Sequence, residues 1–368
     1  MGSEASLLEA IYAAPERDEP RLVYADWLQE HQNPRGELIH LQVAQARVLA
    51  PSAEYHRLAE RSWELLKANG EAWTPRLARE LCSWTFKRGF PSAVQTSVTT
   101  FVPAIDEFFA QAPLLDEVQL DFGPLEPMSM ASVSWLDRLC SAEAFGRLKT
   151  LRLRALNDTG AVALAGMKRL SSLRSLVLSG FGFGTGTYEM LGSSGSQLLQ
   201  LQGLGLWTAN ARDVGLERLF AHPWPSLEAL EIGTDAVAER GIRALTRPGR
   251  LPSLKKLALP WSFKGGVPAM EALASCQSLQ GLEELDLGFC AVSDAMAEVL
   301  ATAKGFNLRV FRLSHSELTL RGVSALLSAD CLSQVKLLEL SGRPFDEATI
   351  ERLIGRFGDR VRFTPISA

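Results

Sequence analysis

One short phrase recurs along most of this chain, and it restricts the fold more than any other feature. A leucine or similar apolar residue is followed three and five positions later by two more apolar residues. The phrase begins at residues 115, 148, 173, 201, 227, 254, 282, 308 and 335. Successive side chains of a strand point to opposite faces, so the second and third apolar residues, which are two positions apart, are expected to share one face. Each phrase therefore predicts one short strand with one buried side.

The spacing of the phrases predicts a repeated strand–helix unit. The starts are 25 to 33 residues apart, and the longest interval holds an insertion at 122–134. Helices are predicted between the phrases, at 214–220, 242–245, 270–274, 296–303 and 323–327. Residues 282–290 complete the pattern L-x-x-L-x-L-x-x-N/C and resemble a leucine-rich repeat. This resemblance implies an α/β ribonuclease-inhibitor-like horseshoe over residues 93–368, with parallel strands on its concave face, helices on its convex face and a C-terminal cap.

The ninth position departs from the pattern, which places Asn or Cys there, in the units other than the one that ends in Cys290. An asparagine at this position would bond to neighbouring backbone turns, so its absence predicts irregular ascending loops. The residues at this position, counting Leu156 in the second unit, are Leu156, Phe181, Ala209, Asp235, Ser262, Cys290, Ser316 and Arg343.

The N-terminal part of the chain reads as short helices followed by a hairpin-like stretch at 84–98. Residues 22–30 (LVYADWLQE) and 33–39 (NPRGELI) resemble the bacterial repeat-companion domain, which occurs beside leucine-rich or other repeats. The resemblance implies a helical domain at 1–92 and no biochemical activity. We expect Asp26 to be partly buried and to accept from Arg35, or from N–H groups that begin the next helix. Trp27 is expected on the apolar face of the same helix.

Composition restricts the class of protein further. A net charge of −4 disfavours generic nucleic-acid binding, which requires a basic surface. No apolar run reaches the length that spans a membrane, and no secretory signal is recognisable, so the expectation is a soluble, cytoplasmic protein. The five cysteines show no C-x-x-C spacing and are expected to be buried, reduced thiols.

Motifs for catalysis or cofactor binding are missing from the sequence. It contains no G-x-S-x-G, H-E-x-x-H or Walker-type phrase. The glycine-rich stretch at 180–186 follows a predicted strand, but it lacks the G-x-G-x-x-G spacing and a following lysine, so we interpret it as a flexible loop. We predict no enzyme activity, no cofactor and no bound metal.

The candidate binding surface is the concave face, where positions 3, 5 and 7 of each phrase point outward. Arg152 and Arg154 form a basic patch at one end, and four acids make the other end acidic. Trp207 is expected to be exposed there, whereas Trp261 and Phe289 could equally be surface contacts or core residues beneath the loops. The predicted partner-binding residues are Arg152, Arg154, Trp207, Glu231, Trp261, Glu284, Asp286, Arg312, His315 and Glu339.

These observations favour a non-enzymatic scaffold that binds a partner protein through the concave face of its repeats. The alternative is a regulator of an enzyme, either a GTPase-activating or a nuclease-inhibiting protein, in which Arg152 or Arg154 would act as donors. That alternative depends on fold analogy alone. A third possibility is that the N-terminal helices form the docking module and the repeats serve as a spacer.

Overall fold

The computed structural model describes residues 3–48, 52–77, 79–123, 130–167, 170–180, 183–193, 197–208, 212–233, 237–342 and 345–363. The chain divides into two compact units. Unit 1 comprises residues 1–122 and 141–151, and unit 2 comprises residues 123–140 and 152–368. The domain boundary at residue 92 stays a prediction.

Unit 1 contains four helices, a β-hairpin, two further short helices and one more strand. Its elements are α1 (Glu4–Ala13), α2 (Glu19–Glu30), α3 (Arg35–Arg47), α4 (Ala53–Trp73), β1 (Ser83–Lys87), β2 (Phe90–Ser97), α5 (Val98–Phe101), α6 (Ile105–Gln111) and β3 (Glu117–Asp121). β1 and β2 pair antiparallel, which confirms the hairpin, and β2 pairs parallel with β3. α7 (Met130–Ser141) and β4 (Thr150–Leu156) cross the division between the units.

The helices of unit 1 pack on the hairpin through two apolar clusters. Tyr24, Leu28 and Ile39 join Phe90 of β2 in one cluster, against which Trp27 packs half-buried. Arg35 donates from Nε to the Gly89 carbonyl over 3.0 Å, and its guanidinium lies 4.7 Å from the centre of the Phe90 ring. Arg35 therefore fixes α3 to the hairpin.

The expected partner of Asp26 is corrected by the structure. The Asp26 side chain is 68% exposed, and its Oδ1 lies 2.9 Å from His40 Nε2 rather than beside Arg35. The buried residues of α2 include Tyr24, Ala25 and Leu28, which share one helical face, and Asp26 falls outside that stripe. An exposed pair of this kind contributes little to stability.

Unit 2 alternates strands and helices along the chain. Its elements are α8 (Asp158–Ala165), β5 (Ser175–Gly180), α9 (Thr185–Leu191), β6 (Gly203–Thr208), α10 (Arg212–Leu219), β7 (Ala229–Gly233), α11 (Glu239–Leu245), β8 (Lys256–Ala258), α12 (Gly266–Ala274), β9 (Glu284–Asp286), α13 (Asp294–Ala301), β10 (Val310–Ser316), α14 (Leu320–Ser328), β11 (Leu337–Gly342), α15 (Glu347–Phe357) and β12 (Val361–Phe363). Strands β5 to β12 follow one another in a parallel sheet, each paired with the next.

The repeated apolar residues form the core of unit 2, as the pattern predicts. In the repeat that contains β9, Leu282, Leu285 and Leu287 are fully buried. Each of the five predicted helices is present, and the strand–helix order persists to the C-terminal α15 and β12. The predicted fold class is confirmed: the protein has an α/β leucine-rich-repeat fold preceded by helices.

Aspartates near the helix starts connect one repeat to the next. Asp158 Oδ1 accepts from the Gly184 N–H over 2.7 Å, and Asp213 Oδ1 accepts from the Ala238 N–H over 2.8 Å. Asp294 accepts from the N–H and the hydroxyl of Thr319 and from the Gly322 N–H. Each carboxylate thus satisfies backbone donors at the start of the following helix, as a capping side chain does.

The ninth position of the repeats is buried where the structure describes it in unit 2. Ser262, Cys290 and Ser316 are each at most 5% exposed. The Cys290 thiol contacts the carbonyl oxygen of Leu259 in the preceding repeat at 3.0 Å, so a residue other than asparagine bonds to a neighbouring turn. The predicted loops at Phe181, Ala209, Asp235 and Arg343, and part of the insertion at 124–129, lie outside the described residues.

Candidate functional site

The strands of unit 2 present a polar face opposite the buried leucines. Glu231, Asp286, Arg312 and Glu339 are half-buried on this face and alternate with fully buried neighbours. The period of two follows from strand geometry, and it places these side chains where a partner can reach them. We call this surface the strand face.

Cross-strand register corrects the prediction of an acidic end. Lys256 stands opposite Glu284, and their charged atoms lie 3.8 Å apart. Arg312 stands opposite Glu339 at 3.5 Å, and Glu339 also accepts from the Ser314 hydroxyl. Two of the four predicted acids are therefore paired with cations. The resulting charge is mixed, and pairs as exposed as these contribute at most about 1 kcal/mol each.

Directly after the strands, the eighth position of several repeats has left-handed backbone. The φ angles are 56° at Ala155, 64° at Trp261, 60° at Phe289 and 55° at His315. L-amino acids rarely adopt this conformation because Cβ approaches the following carbonyl oxygen. In β10 the strand register shifts between Leu313 and position 316, so the alternation of faces is broken there. Consequently position 8 points outward although position 9 is buried.

Three of these outward residues stack into a ladder of rings. The Trp261 and Phe289 ring centres are 3.9 Å apart with an interplanar angle of 6°. Phe289 and His315 follow at 4.3 Å and 24°. Trp261 is 55% exposed, and Phe289 is half-buried, so neither folds back into the core beneath the loops. We call these three residues the aromatic ladder.

Trp207 extends the aromatic surface toward β6. It stands opposite Gly233 in β7, and a Cβ at Gly233 would lie only 2.2 Å from the Trp207 ring. The ring therefore occupies space that a side chain at position 233 would need, and it remains 37% exposed. β6 and β8 are two strands apart, roughly 10 Å by ordinary strand spacing. Trp207 and the aromatic ladder thus border neighbouring parts of the strand face.

Two of the predicted arginines lie on β4, apart from the aromatic ladder. Arg152 is half-buried and Arg154 is exposed, both on β4. Phe289 and Gly233 did not belong to the predicted set, although both complete the site. Aromatic residues at the same position of three successive repeats were the signal for Phe289. The requirement for glycine at 233 depends on the Trp207 rotamer, which the sequence does not reveal.

Three further findings concern metal binding, membrane helices and cysteines in the described residues. Among them, no group of three or more His, Cys, Asp and Glu side chains is arranged to hold a metal ion. The helices described here include none with the length and apolar character to cross a membrane. All five cysteines are free thiols, and burial raises the pKa of Cys140 to about 12 and that of Cys331 to about 11.

Repeats, helices and a parallel sheet give the described residues a leucine-rich-repeat fold. No protein-family model matches it, and no curated protein does. A Bacteroides fragilis protein from a structural-genomics programme is similar, with 13% identity, coverage of 84% of both chains and a TM-score of 0.48. A Listeria monocytogenes internalin shows 14% identity, coverage of 71% and 69%, and a TM-score of 0.40. Rad7, solved with Elc1 from yeast, shows 18% identity, coverage of 74% and 86%, and a TM-score of 0.36.

Proposed function

We propose that this protein is a non-enzymatic interaction module that binds a partner protein through the strand face of its repeats. The observation that supports the proposal is the aromatic ladder, with Trp261 and His315 exposed, together with Trp207. Large aromatic side chains dominate the energetics of protein interfaces, and tryptophan is among the residues enriched where most of the binding energy lies. A row of rings held by stacking is also already ordered, so little side-chain freedom is lost when a partner covers it.

The residues around the rings indicate what kind of partner surface would fit the strand face. At the seventh position, Gly233 allows the Trp207 ring to lie over it, and Pro260 and Gly288 are compact residues beside the aromatic ladder. Glu231 is half-buried on the face, and within the described residues it has no ion-pair partner. A partner with an apolar or aromatic side chain for the ladder and a basic side chain for Glu231 would complement both features.

Several finer features belong to the same proposal. Helices α1 to α4 would belong to a bacterial repeat-companion domain occupying residues 1–92, and the protein would act in the cytoplasm. We propose that binding involves no nucleic acid, membrane or cofactor. The similarity of LVYADWLQE at 22–30 to that domain supports the first of these statements. The absence of catalytic phrases from the sequence supports a role in binding.

The proposal is tested by affinity capture from lysate of the source cells. The bait is the purified protein, compared with the double variant Trp207→Ala/Trp261→Ala. The matched control is Trp63→Ala, because Trp63 is also an exposed tryptophan, at 61%, but belongs to α4 in unit 1. We expect a partner that the wild type and Trp63→Ala retain and that the double variant loses.

Circular dichroism of every bait must show the same fold, because a misfolded variant would also lose partners. A partner retained equally by all three baits, or none captured by the wild type, would contradict the strand face as the binding site. If the captured partner is a GTPase or a nuclease, its activity with and without this protein decides between a scaffold and a regulator. In that case Arg154→Ala tests the arginine that is exposed on β4.

A further inference from the structure

Unit 1 contains a pocket of about 760 Å³ that plays no part in the proposed interface. Its walls come from α1, α2, α3, α4, the β1–β2 hairpin and the segments at 113–116 and 146–149. This volume falls within the range typical of small-molecule sites. We call it the basic pocket because its charged lining residues are mostly cations: Arg21, Lys87, Arg88, Arg147 and Lys149, against Glu16 and Asp116.

The charge of the pocket contrasts with that of the whole chain. The protein carries a net charge of −4, whereas the pocket lining carries five cationic and two acidic side chains. Concave surfaces lined by one sign of charge concentrate ligands of the opposite sign. The lining therefore favours an anion.

Two buried polar groups of the lining have unused hydrogen-bonding capacity. Arg21 is 4% exposed; its Nη1 donates to the Arg17 carbonyl over 2.7 Å, but its Nε–H has no partner among the described residues. Ser92 is 5% exposed, and its hydroxyl likewise has no partner there. Burying an unpartnered polar group destabilises a fold, so both groups call for a hydrogen-bonding occupant.

The other cations of the pocket are mostly engaged with the protein. Lys87 Nζ lies 2.9 Å from Glu117 Oε2, and Arg88 Nε lies 3.2 Å from Asp18 Oδ1. Arg147 donates to the Pro113 carbonyl. These contacts hold the walls in place. Lys149 is exposed at the pocket, and within the described residues it has no ion-pair partner.

One acid limits the kind of anion that fits. Asp116 Oδ1 is buried without a hydrogen-bond partner in the described part of the chain, and it lies 3.9 Å from Lys87 Nζ. A carboxylate in this position repels a bare anion but accepts a hydrogen bond from a ligand N–H or O–H. Tyr12, Tyr55 and Phe86 add aromatic surface to the lining. The occupant should therefore combine an oxyanion, a ring and a donor group.

We propose that the basic pocket binds a small organic anion whose phosphate or carboxylate accepts from Arg21 Nε and the Ser92 hydroxyl. Its ring lies against the aromatic lining, and a donor on the ligand meets Asp116. Lys149 attracts the anion at the pocket opening. This site is independent of the interface proposed for unit 2.

The test uses isothermal titration of the full-length protein with two pairs of probes. AMP and adenosine examine a phosphate, and 4-aminobenzoate and 4-aminobenzamide examine a carboxylate; each pair differs chiefly in the anionic group. We expect at least one anion to bind saturably and its neutral partner to bind at least about tenfold more weakly, as the loss of one charge-assisted hydrogen bond implies. Added NaCl should weaken that binding.

Matched variants distinguish binding in the basic pocket from a general effect of the protein's charge. Lys149→Glu should weaken binding of the anion about tenfold, whereas Lys336→Glu, the same change at an exposed lysine of unit 2, should leave it unchanged. Ser92→Ala should weaken binding without lowering Tm, because the hydroxyl has no protein partner to lose. The inference is overturned if neither anion binds, if neutral and anionic probes bind alike, or if Lys149→Glu and Lys336→Glu have the same effect.

Discussion

The left-handed backbone beneath the aromatic ladder predicts an unusual order of stability at Phe289. Its ring lies between Trp261, at 3.9 Å, and His315, at 4.3 Å, and its φ is 60°. Phe289→Ala removes both ring contacts, which are worth about 0.5–1.5 kcal/mol each, so the loss is about 1–3 kcal/mol. Phe289→Gly removes the same contacts and leaves no Cβ in the left-handed conformation.

The difference in stability between Phe289→Ala and Phe289→Gly reports the backbone conformation, because both variants lack the ring. An alanine retains the left-handed penalty of about 1–2 kcal/mol, whereas a glycine does not. The greater freedom of glycine in the unfolded chain offsets about 0.5–1 kcal/mol of that gain. Phe289→Gly should therefore be more stable than Phe289→Ala, by up to about 1.5 kcal/mol, which reverses the usual order of alanine and glycine.

Urea denaturation followed by circular dichroism measures both free energies of unfolding. The control is Ser314, an adjacent strand-face residue that is not among those with positive φ. There, Ser314→Ala should be the more stable of the pair Ser314→Ala and Ser314→Gly. If alanine is also the more stable replacement at position 289, the left-handed backbone conformation is not what turns the Phe289 ring outward.

Two further predictions concern single side chains of unit 2. Partial desolvation raises the pKa of the Asp294 carboxyl, but hydrogen bonds from Thr319 and Gly322 outweigh it and leave the pKa below its usual value. A depressed folded-state pKa stabilises the fold above the unfolded-state pKa and ceases to do so as pH falls. Asp294→Asn should therefore shift the urea midpoint most at pH 7, and the shift should shrink as pH falls below the unfolded-state pKa of about 4; a shift that stays the same as the pH is lowered would contradict the assignment. Gly233→Ala should displace the Trp207 ring, because the new Cβ would lie 2.2 Å from it. The change should alter the tryptophan emission of the wild type but not that of a Trp207→Phe background, and an unchanged spectrum in both would place the ring elsewhere.

Local periodicity was enough to predict the repeats, yet it misplaced Asp26. The repeat core follows from leucines at fixed spacing, because every unit buries the same positions of its strand. Asp26 was expected to be partly buried since its neighbours in sequence are apolar. On a helix, however, the face is set by residues three and four positions apart, and Tyr24, Ala25 and Leu28 form that face without Asp26. The burial of Asp26 was judged from its neighbours in sequence, whereas the residues three and four positions away determine which face of the helix is buried.

The aromatic ladder could not be predicted from the alternation of a strand. Strict alternation assigns positions 7 and 9 to the outer face and position 8 to the inner one. That reasoning did not decide whether Trp261 and Phe289 lie on the surface or in the core, because apolar side chains occur in both. The left-handed residues shift the alternation by one position, and a left-handed conformation at a non-glycine residue has no clear signal in a single sequence.

The left-handed backbone at position 8 affects both the stability of the repeats and the proposed interface. Position 8 turns outward only because position 9 turns inward, where the Cys290 thiol reaches the Leu259 carbonyl of the preceding repeat. A small residue at position 9 therefore holds neighbouring repeats together, whereas position 8 supplies side chains that no core contact requires to be aromatic. Three successive rings at such a position, of which Trp261 and His315 are exposed and Phe289 is half-buried, are not explained by packing of the core. Binding of a partner gives a reason for them, and the capture experiment with Trp207 and Trp261 tests that reason directly.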